Sequence, residues 1–350
     1  MRLIHRSLFA LIALAAALPA TAAAAHHHRL GGYSQRNLVA DTTGAAELKD
    51  PSLVNAWGLS FGPATPAWVA DNGTGVSTLY RGATTATPGV TKVPLTVTIP
   101  GGAPTGTVFN PGSGFDVNNA PSLFLFDSEA GVISGWNTGN NAQVGTTVPG
   151  AMFKGLAIAD TKKGQRLYAT DFHNGRVDVF DEHFMPAGKP GAFTDHKLPK
   201  RFAPFGIQTV AKRFIVVTYA KQDADAMDEL HGPGLGRVDI FNRQGRLLRR
   251  LRHGRELNAP WGIALAPKHF GRASGDLLIG NFGGAGHINA FKRKSGRFVG
   301  ALRGKHGRKL AIEGLWALEF GNGVIGNPNT LLFTAGPNDE MNGLFGAITH

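Results

Sequence analysis

The 350-residue chain contains no cysteine. That excludes disulfides, thiolate metal centres, iron–sulfur clusters and cysteine nucleophiles, so stability must come from packed apolar surface. Charge is sparse, at 17% of residues, and acids are the scarcer sign: 24 Asp and Glu against 36 Lys and Arg, a net charge of +12. After the first 25 residues there is no run apolar and long enough to span a bilayer, and no sustained helical period. P-loop, HExxH and GxSxG patterns are missing too. Gly321–Gly326 fits GxGxxG by letter, but it joins two strand-like runs and opens no helix, so it reads as a turn.

Glycine is abundant, with 48 residues, and it is placed periodically. Trp57-Gly58-Leu59 opens a strand, Trp68-Val69-Ala70-Asp71 forms a second, and a Gly-rich turn leads to a third at Thr78-Leu79-Tyr80. Further copies open at Gly114, Gly155, Gly206, Gly262 and Gly314. Repetition at about fifty residues marks units that bury their faces only against one another. The expectation is an all-β, six-bladed β-propeller. Second strands are predicted at 123–126, 166–170, 214–219, 277–280 and 331–334, and third strands at 132–136, 176–180, 237–241, 287–291 and 344–348. The last block ends after three strands, whereas Gln35 to Ala40 precedes the first block without a role. That segment is predicted to close the ring as the outer strand of blade six, removing an open sheet edge.

Residues 1–25 read as a signal peptide: Arg2 and Arg6 precede an apolar stretch from Leu8 to Leu18 and small residues around Ala20-Thr21-Ala22. Residues 26–32, with His26-His27-His28, read as a disordered tail with weak affinity for Cu or Ni. Residues 33–350 are expected to form one propeller, a monomer without a transmembrane segment, exported to the periplasm or the exterior. Between Arg243 and Lys309 lie sixteen Lys and Arg, a patch suited to an anionic envelope polymer or to plain solvation. No aromatics interleave with it, so nucleic acid is not an expected partner.

Four stretches carry a resemblance: Leu53-Val54-Asn55-Ala56-Trp57-Gly58-Leu59, Thr218-Tyr219-Ala220-Lys221-Gln222-Asp223-Ala224-Asp225, Asn258-Ala259-Pro260-Trp261-Gly262 and Thr334-Ala335-Gly336-Pro337-Asn338-Asp339-Glu340. Over residues 33–349 the chain resembles an uncharacterised bacterial family of exported, NHL-like six-bladed propellers. Some members of that family carry a C-terminal sorting tail, for which this sequence has no counterpart. The resemblance implies fold and export; it brings no activity with it.

In such a ring, the turns after second strands and the openings of first strands share one face. These positions gather acids on a basic protein: Asp71, Asp127, Glu129, Asp171, Asp223, Asp225, Asp228, Glu229, Glu313, Asp339 and Glu340. Asp71, Asp171, Asp223, Asp225, Asn281 and Glu313 are the candidate ligands for Ca²⁺ or another divalent metal. Against this, Asp71, Asp127 and Asp171 each open a turn, where an Asx-turn caps the strand end. The segment from Lys221 to Gly236 is long enough to be a lid. The residues before the repeat glycines (Trp57, Ser113, Lys154, Phe205, Trp261 and Glu313) form a predicted second ring, with Lys154 facing Glu313 across the mouth. Trp57, Lys154, His173, Trp261, Glu313 and Asp339 are the candidate ligand-binding residues, although the two tryptophans also suit wedges between blades. His173 is a turn histidine near a carboxylate: a general base, a metal ligand or a plain exposed residue. The favoured function is a binding or scaffold protein taking a protein, glycan or small molecule at this mouth. The alternative is a metal-dependent hydrolase of the gluconolactonase type.

Overall fold

The computed structural model describes residues 30–252 and 254–350. The signal peptide and His26-His27-His28 lie outside the described residues. Strands account for nearly all regular structure, with two short 3₁₀ turns at Asn72–Thr74 and Gly271–Ala273.

β1 covers Leu30–Ala40. The next four strands, β2 (Ala56–Ser60), β3 (Ala67–Asp71), β4 (Val76–Gly82) and β5 (Val90–Thr98), pair in order as an antiparallel set. A second set follows with β6 (Pro104–Phe109), β7 (Phe124–Ser128), β8 (Val132–Trp136) and β9 (Gln143–Thr147). The third set has three strands: β10 (Phe153–Thr161), β11 (Gly164–Asp171) and β12 (Arg176–Asp181). The fourth comprises β13 (Phe202–Val210), β14 (Phe214–Gln222), the short β15 (Glu229–Leu230), β16 (Gly236–Asn242) and β17 (Leu247–Arg250). The fifth is β18 (Pro260–Leu265), β19 (Leu277–Asn281), β20 (Ile288–Phe291) and β21 (Phe298–Gly304). Last come β22 (Leu315–Phe320), β23 (Leu331–Ala335) and β24 (Leu344–Thr349).

β1 supplies the fourth strand of this last set, pairing antiparallel with β24 from Ser34↔Thr349 to Ala40↔Leu344. Its first residue, Leu30, pairs in parallel with Leu302 of β21 and is buried between the fifth and sixth sets. Residues 30–32 therefore belong to β1 and not to a tail. An apolar Leu30 that fills an inter-sheet core has no reason to stay in water.

Apolar clusters occupy the spaces between successive sets. Phe153, Leu156 and Leu167 pack with Leu125 and Ile133 of the second set, and Val217 and Phe241 pack with Ala157 and Tyr168 of the third. One cluster joins Tyr80 and Val69 of the first set to Leu332 and Phe345 of the last, and continues into Trp57, Trp261 and Trp316.

The repeat has a different register at two places. The second set opens at β6, so Gly106 and not Gly114 is its repeat glycine; Gly114 lies in the following connection. The sixth set opens with Trp316-Ala317-Leu318 in the place of Trp57-Gly58-Leu59. The Ala317 amide is donated to Thr334 Oγ1 (3.0 Å) as the Gly206 amide is to Thr218 Oγ1 (2.8 Å). Glu313 and Gly314 precede this strand and hold no ring position.

Candidate functional site

Each first strand carries a register shift at the same place: between Ala56 and Leu59, Phe153 and Leu156, Pro204 and Ile207, Pro260 and Gly262, and Leu315 and Leu318. The second set does the same opposite Asp127, where Thr105 and Gly106 are the extra residues. A β-bulge turns a side chain out of the strand's normal alternation. The ring position is thus held by Trp57, Thr105, Lys154, Phe205, Trp261 and Trp316. The glycine that follows lets the next strand approach closely. A Cβ on Gly206 would lie 2.2 Å from the Trp261 carbonyl oxygen, and one on Gly262 would lie 2.4 Å from that of Trp316.

The aromatics of this ring are packed, not presented. Trp57 stacks on Trp316 with centroids 3.9 Å apart, and Phe282 stacks on the Trp316 ring at 3.8 Å. Trp261 Nε1 donates to the Lys154 carbonyl (2.6 Å), and Trp316 Nε1 donates to Asn55 Oδ1 (2.9 Å). All three tryptophans are buried.

Lys154 sits on this aromatic floor. Its side chain is 2% exposed, with Nζ 2.5 Å from Glu129 Oε1, 3.3 Å from Asp228 Oδ1 and 5.3 Å from the centroid of the Trp57 ring. Burial alone would lower its pKa, but the Glu129, Glu229 and Asp228 carboxylates outweigh that and hold it above the ordinary lysine value. Glu340 completes the rim by accepting from Asn55 Nδ2 (2.6 Å), and Asn72 Nδ2 donates to Glu129 Oε2 (3.3 Å). Burial raises the Glu340 pKa and neighbouring Glu229 and Glu129 raise it further; Asn55 and Lys154 pull the other way. His231 Nε2 lies 3.2 Å from Glu229 Oε1, a contact that raises the histidine's pKa.

The segment expected as a lid is a folded hairpin. β15 pairs back onto β14 through Lys221↔Leu230 and Gln222↔Glu229, and the Asp223 amide donates to the Asp228 carbonyl (2.8 Å). This brings Asp228 and Glu229 over Lys154.

The other candidates disperse. Lys154 is paired with Glu129 and Asp228, and not with Glu313, which is exposed and accepts from the Asn338 amide (3.2 Å). Asp71 is fully buried, and neither of its oxygens has a hydrogen-bond partner among the described residues. Asp171 accepts from the Met152 and Asn174 amides (both 3.2 Å) and from Asn174 Nδ2 (2.7 Å), so it caps a turn. Asp223 likewise accepts from the Met227 amide (3.0 Å), and Asp225 is exposed. Asn281 is held by the Asn258 amide and the Glu256 carbonyl. His173 Nδ1 lies 3.2 Å from the Ala226 carbonyl, and Asp339 is exposed beside Glu340. Among the described residues, no three His, Asp or Glu side chains form a group able to hold a metal ion. The donors expected for a divalent metal thus stand apart among the described residues: Asp171, Asp223, Asn281 and Glu313 accept backbone amides, Asp71 is buried and Asp225 is exposed.

Trp316, Asn55 and Asn72 escaped the sequence reading. The triplets Trp57-Gly58-Leu59, Trp261-Gly262-Ile263 and Trp316-Ala317-Leu318 are the signal for Trp316.

No family model matches the chain. It is similar to an uncharacterized protein of Acanthamoeba polyphaga mimivirus, at 31% identity over 327 residues, covering 89% of this chain and 78% of the relative. A second uncharacterized protein of the same virus is 30% identical over 319 residues, covering 85% of this chain and 81% of its own length. These relatives are viral, whereas the motif resemblance is to a bacterial family. Among solved structures, a streptogramin B lyase aligns with TM-score 0.51 and 9% identity, over 91% of this chain and 97% of that one. A putative gluconolactonase aligns with TM-score 0.51 and 13% identity, over 91% and 92% of the two chains. At such identities the likeness is one of β-propeller fold. Among the described residues, no helix is long and apolar enough to cross a membrane.

Proposed function

The chain belongs to one family with the uncharacterized mimivirus protein that matches most of its length, and on that premise we propose that it is a binding protein: a six-bladed propeller whose acidic mouth receives a cationic group of a partner protein or small molecule. Six blades, with β1 closing the ring, is our reading of the six strand sets. It is supported by the β1–β24 pairing and by the apolar cluster shared between the first and last sets.

One observation carries the functional reading. The Glu129, Asp228, Glu229 and Glu340 carboxylates around Lys154 outnumber its single charge and that of His231 beside Glu229; burial, followed by Glu229 and Glu129, raises Glu340 even with Lys154 nearby. Asp228 is also 74% exposed, free to turn towards an incoming cation. Backbone strain is present at this rim as it is elsewhere in the protein. Asn338, Asp339 and Glu340 are consecutive non-glycine residues at φ 59°, 51° and 64°, and Asn55 lies at φ 46°. Such conformations cost about 1–3 kcal/mol each and cluster at ligand-contact sites. The buried tryptophans are floor and not stacking platform, which argues against a glycan. The gluconolactonase-type alternative lacks a converging donor set, so these residues support no hydrolytic step. Export remains part of the proposal, resting on the composition of residues 1–25.

Thermal melting at low salt with a tetralysine peptide, CaCl₂ or maltotriose separates these classes. A rise in melting temperature with the peptide alone is expected. A rise with CaCl₂ that EDTA reverses would overturn the reading in favour of the metal site, and a rise with maltotriose alone in favour of a glycan.

A further inference from the structure

At the far end of β10 from Lys154, roughly 23 Å along the strand at about 3.3 Å per residue, lies a cleft of about 530 Å³. It forms where the third set lacks an outer strand. Pro186 bridges Phe180 and the Ala187 amide donates to the Val179 carbonyl (2.7 Å), but the chain then leaves β12. It crosses to the β16–β17 turn, where the Phe193 amide donates to the Gly245 carbonyl (2.8 Å). Phe193 is held there at φ 57°, a left-handed conformation that an aromatic residue rarely adopts.

The floor of the cleft is apolar, built by Val179, Ala192 and the rings of Tyr168 and Phe193, whose centroids are 5.4 Å apart. Its rim is basic: Lys162 and Lys163 from the β10–β11 turn, Arg166 from β11, Lys189 from the crossing segment and Arg243 from the β16–β17 turn. No carboxylate lines it. Arg166 and Arg243 donate only to the backbone carbonyls of Gln165 and Asp160, and none of the five cations is in an ion pair among the described residues. Elsewhere Arg250 is paired with Asp195 (2.5 Å) and Lys292 with Asp276 (2.7 Å). Like charges gathered on an apolar concavity repel one another unless a counter-ion joins them. Both the size and the lining, an apolar base with a few convergent polar groups, are those of small-molecule pockets.

We infer that this cleft is a binding site for a small organic anion with a flat apolar body, such as an aryl phosphate. The apolar body lies against Ala187, Ala192 and the accessible edges of Val179 and Phe193, above the buried Tyr168 ring, and the phosphate meets Lys162, Arg166 and Lys189. The site is independent of the acidic mouth and takes ligands of opposite charge.

The test is calorimetric titration with 1-naphthyl phosphate, compared with inorganic phosphate and with a Lys162→Ala/Lys189→Ala variant whose substituted side chains are exposed. An Arg249→Ala/Arg297→Ala variant, on outer strand β17 and in the turn before β21, serves as control. Saturable binding is expected, at least tenfold tighter than for inorganic phosphate, at least tenfold weaker in the cleft variant and unchanged in the control. Absence of saturable binding, equal affinity for inorganic phosphate, or equal loss in both variants would overturn the inference.

Discussion

Thr334 Oγ1 donates to the main-chain carbonyl of Trp57 at 2.5 Å, joining the last strand set to the first across 277 residues of sequence. Thr170, on the second strand of the third set, makes the same contact with the Phe205 carbonyl (2.7 Å), and in the second set Thr105, on the first strand, reaches the Phe153 carbonyl of the next set (2.9 Å). The contact between the chain's two ends is therefore of the same kind as those between sequential neighbours. Thr334→Val keeps the shape but leaves the Trp57 carbonyl without its donor and the Ala317 amide without its acceptor, at a cost of about 1–3 kcal/mol. Urea unfolding should show a loss like that of Thr170→Val. No loss for Thr334→Val alone would mean that the first and last sets are not held as the others are.

Close approach at the bulges gives a second prediction. Gly206→Ala places a methyl group 2.2 Å from a main-chain oxygen that cannot swing away, so stability should fall by about 1–3 kcal/mol. The sixth set already has Ala317 at this place, so Ala317→Gly should cost under about 1 kcal/mol. Equal losses in denaturant midpoint would contradict the register assigned to the sixth set.

Lys154→Met removes the one ammonium group beneath Glu129 and Asp228. Breaking a buried pair this way costs about 3 kcal/mol. In the native protein the lysine pKa is raised. Its stabilising contribution is therefore complete below the unfolded value near 10.5 and fades as pH climbs past the folded value. A melting series from pH 7 to pH 11 reads this loss. A Lys154→Met protein as stable as the parent at pH 7 would contradict the pairing.

Asp71 behaves in the opposite sense. Burial pushes its pKa well above the ordinary value of 3.8, despite opposing contributions from Thr78 and Lys92. A raised acid is harmless below its unfolded pKa and costs stability as pH rises towards the folded one. Asp71→Asn does not titrate, so its stability relative to the parent should improve as pH rises from 4 to 8. Relative stability that falls over that range would mean an ionised Asp71 held by a bound cation.

The strands are legible in the sequence because half-buried alternation and glycine turns are local signals. The third strand of the second set, Val132–Trp136, lies where the spacing predicts it. The pairing of Gln35 to Ala40 with β24 follows from a strand left without a partner at one end and a set one strand short at the other. Two openings are misplaced by the glycine pattern for a physical reason. In the sixth set alanine replaces glycine behind Trp316, and in the second Thr105 replaces the bulky residue before Gly106. Letter matching therefore moves to nearby Gly314 and Gly114. That shift puts Glu313 opposite Lys154, whereas the partners of Lys154 come from turns and a hairpin whose fold-back depends on pairing that no local pattern records.

The most direct test is calorimetric titration of a tetralysine peptide into the parent protein and into an Asp228→Asn/Glu340→Gln variant. Saturable one-to-one binding that weakens at least tenfold in the variant, about 1.4 kcal/mol, is the predicted result. No saturable binding, or the same affinity in both proteins, would contradict an acidic mouth built to receive a cation.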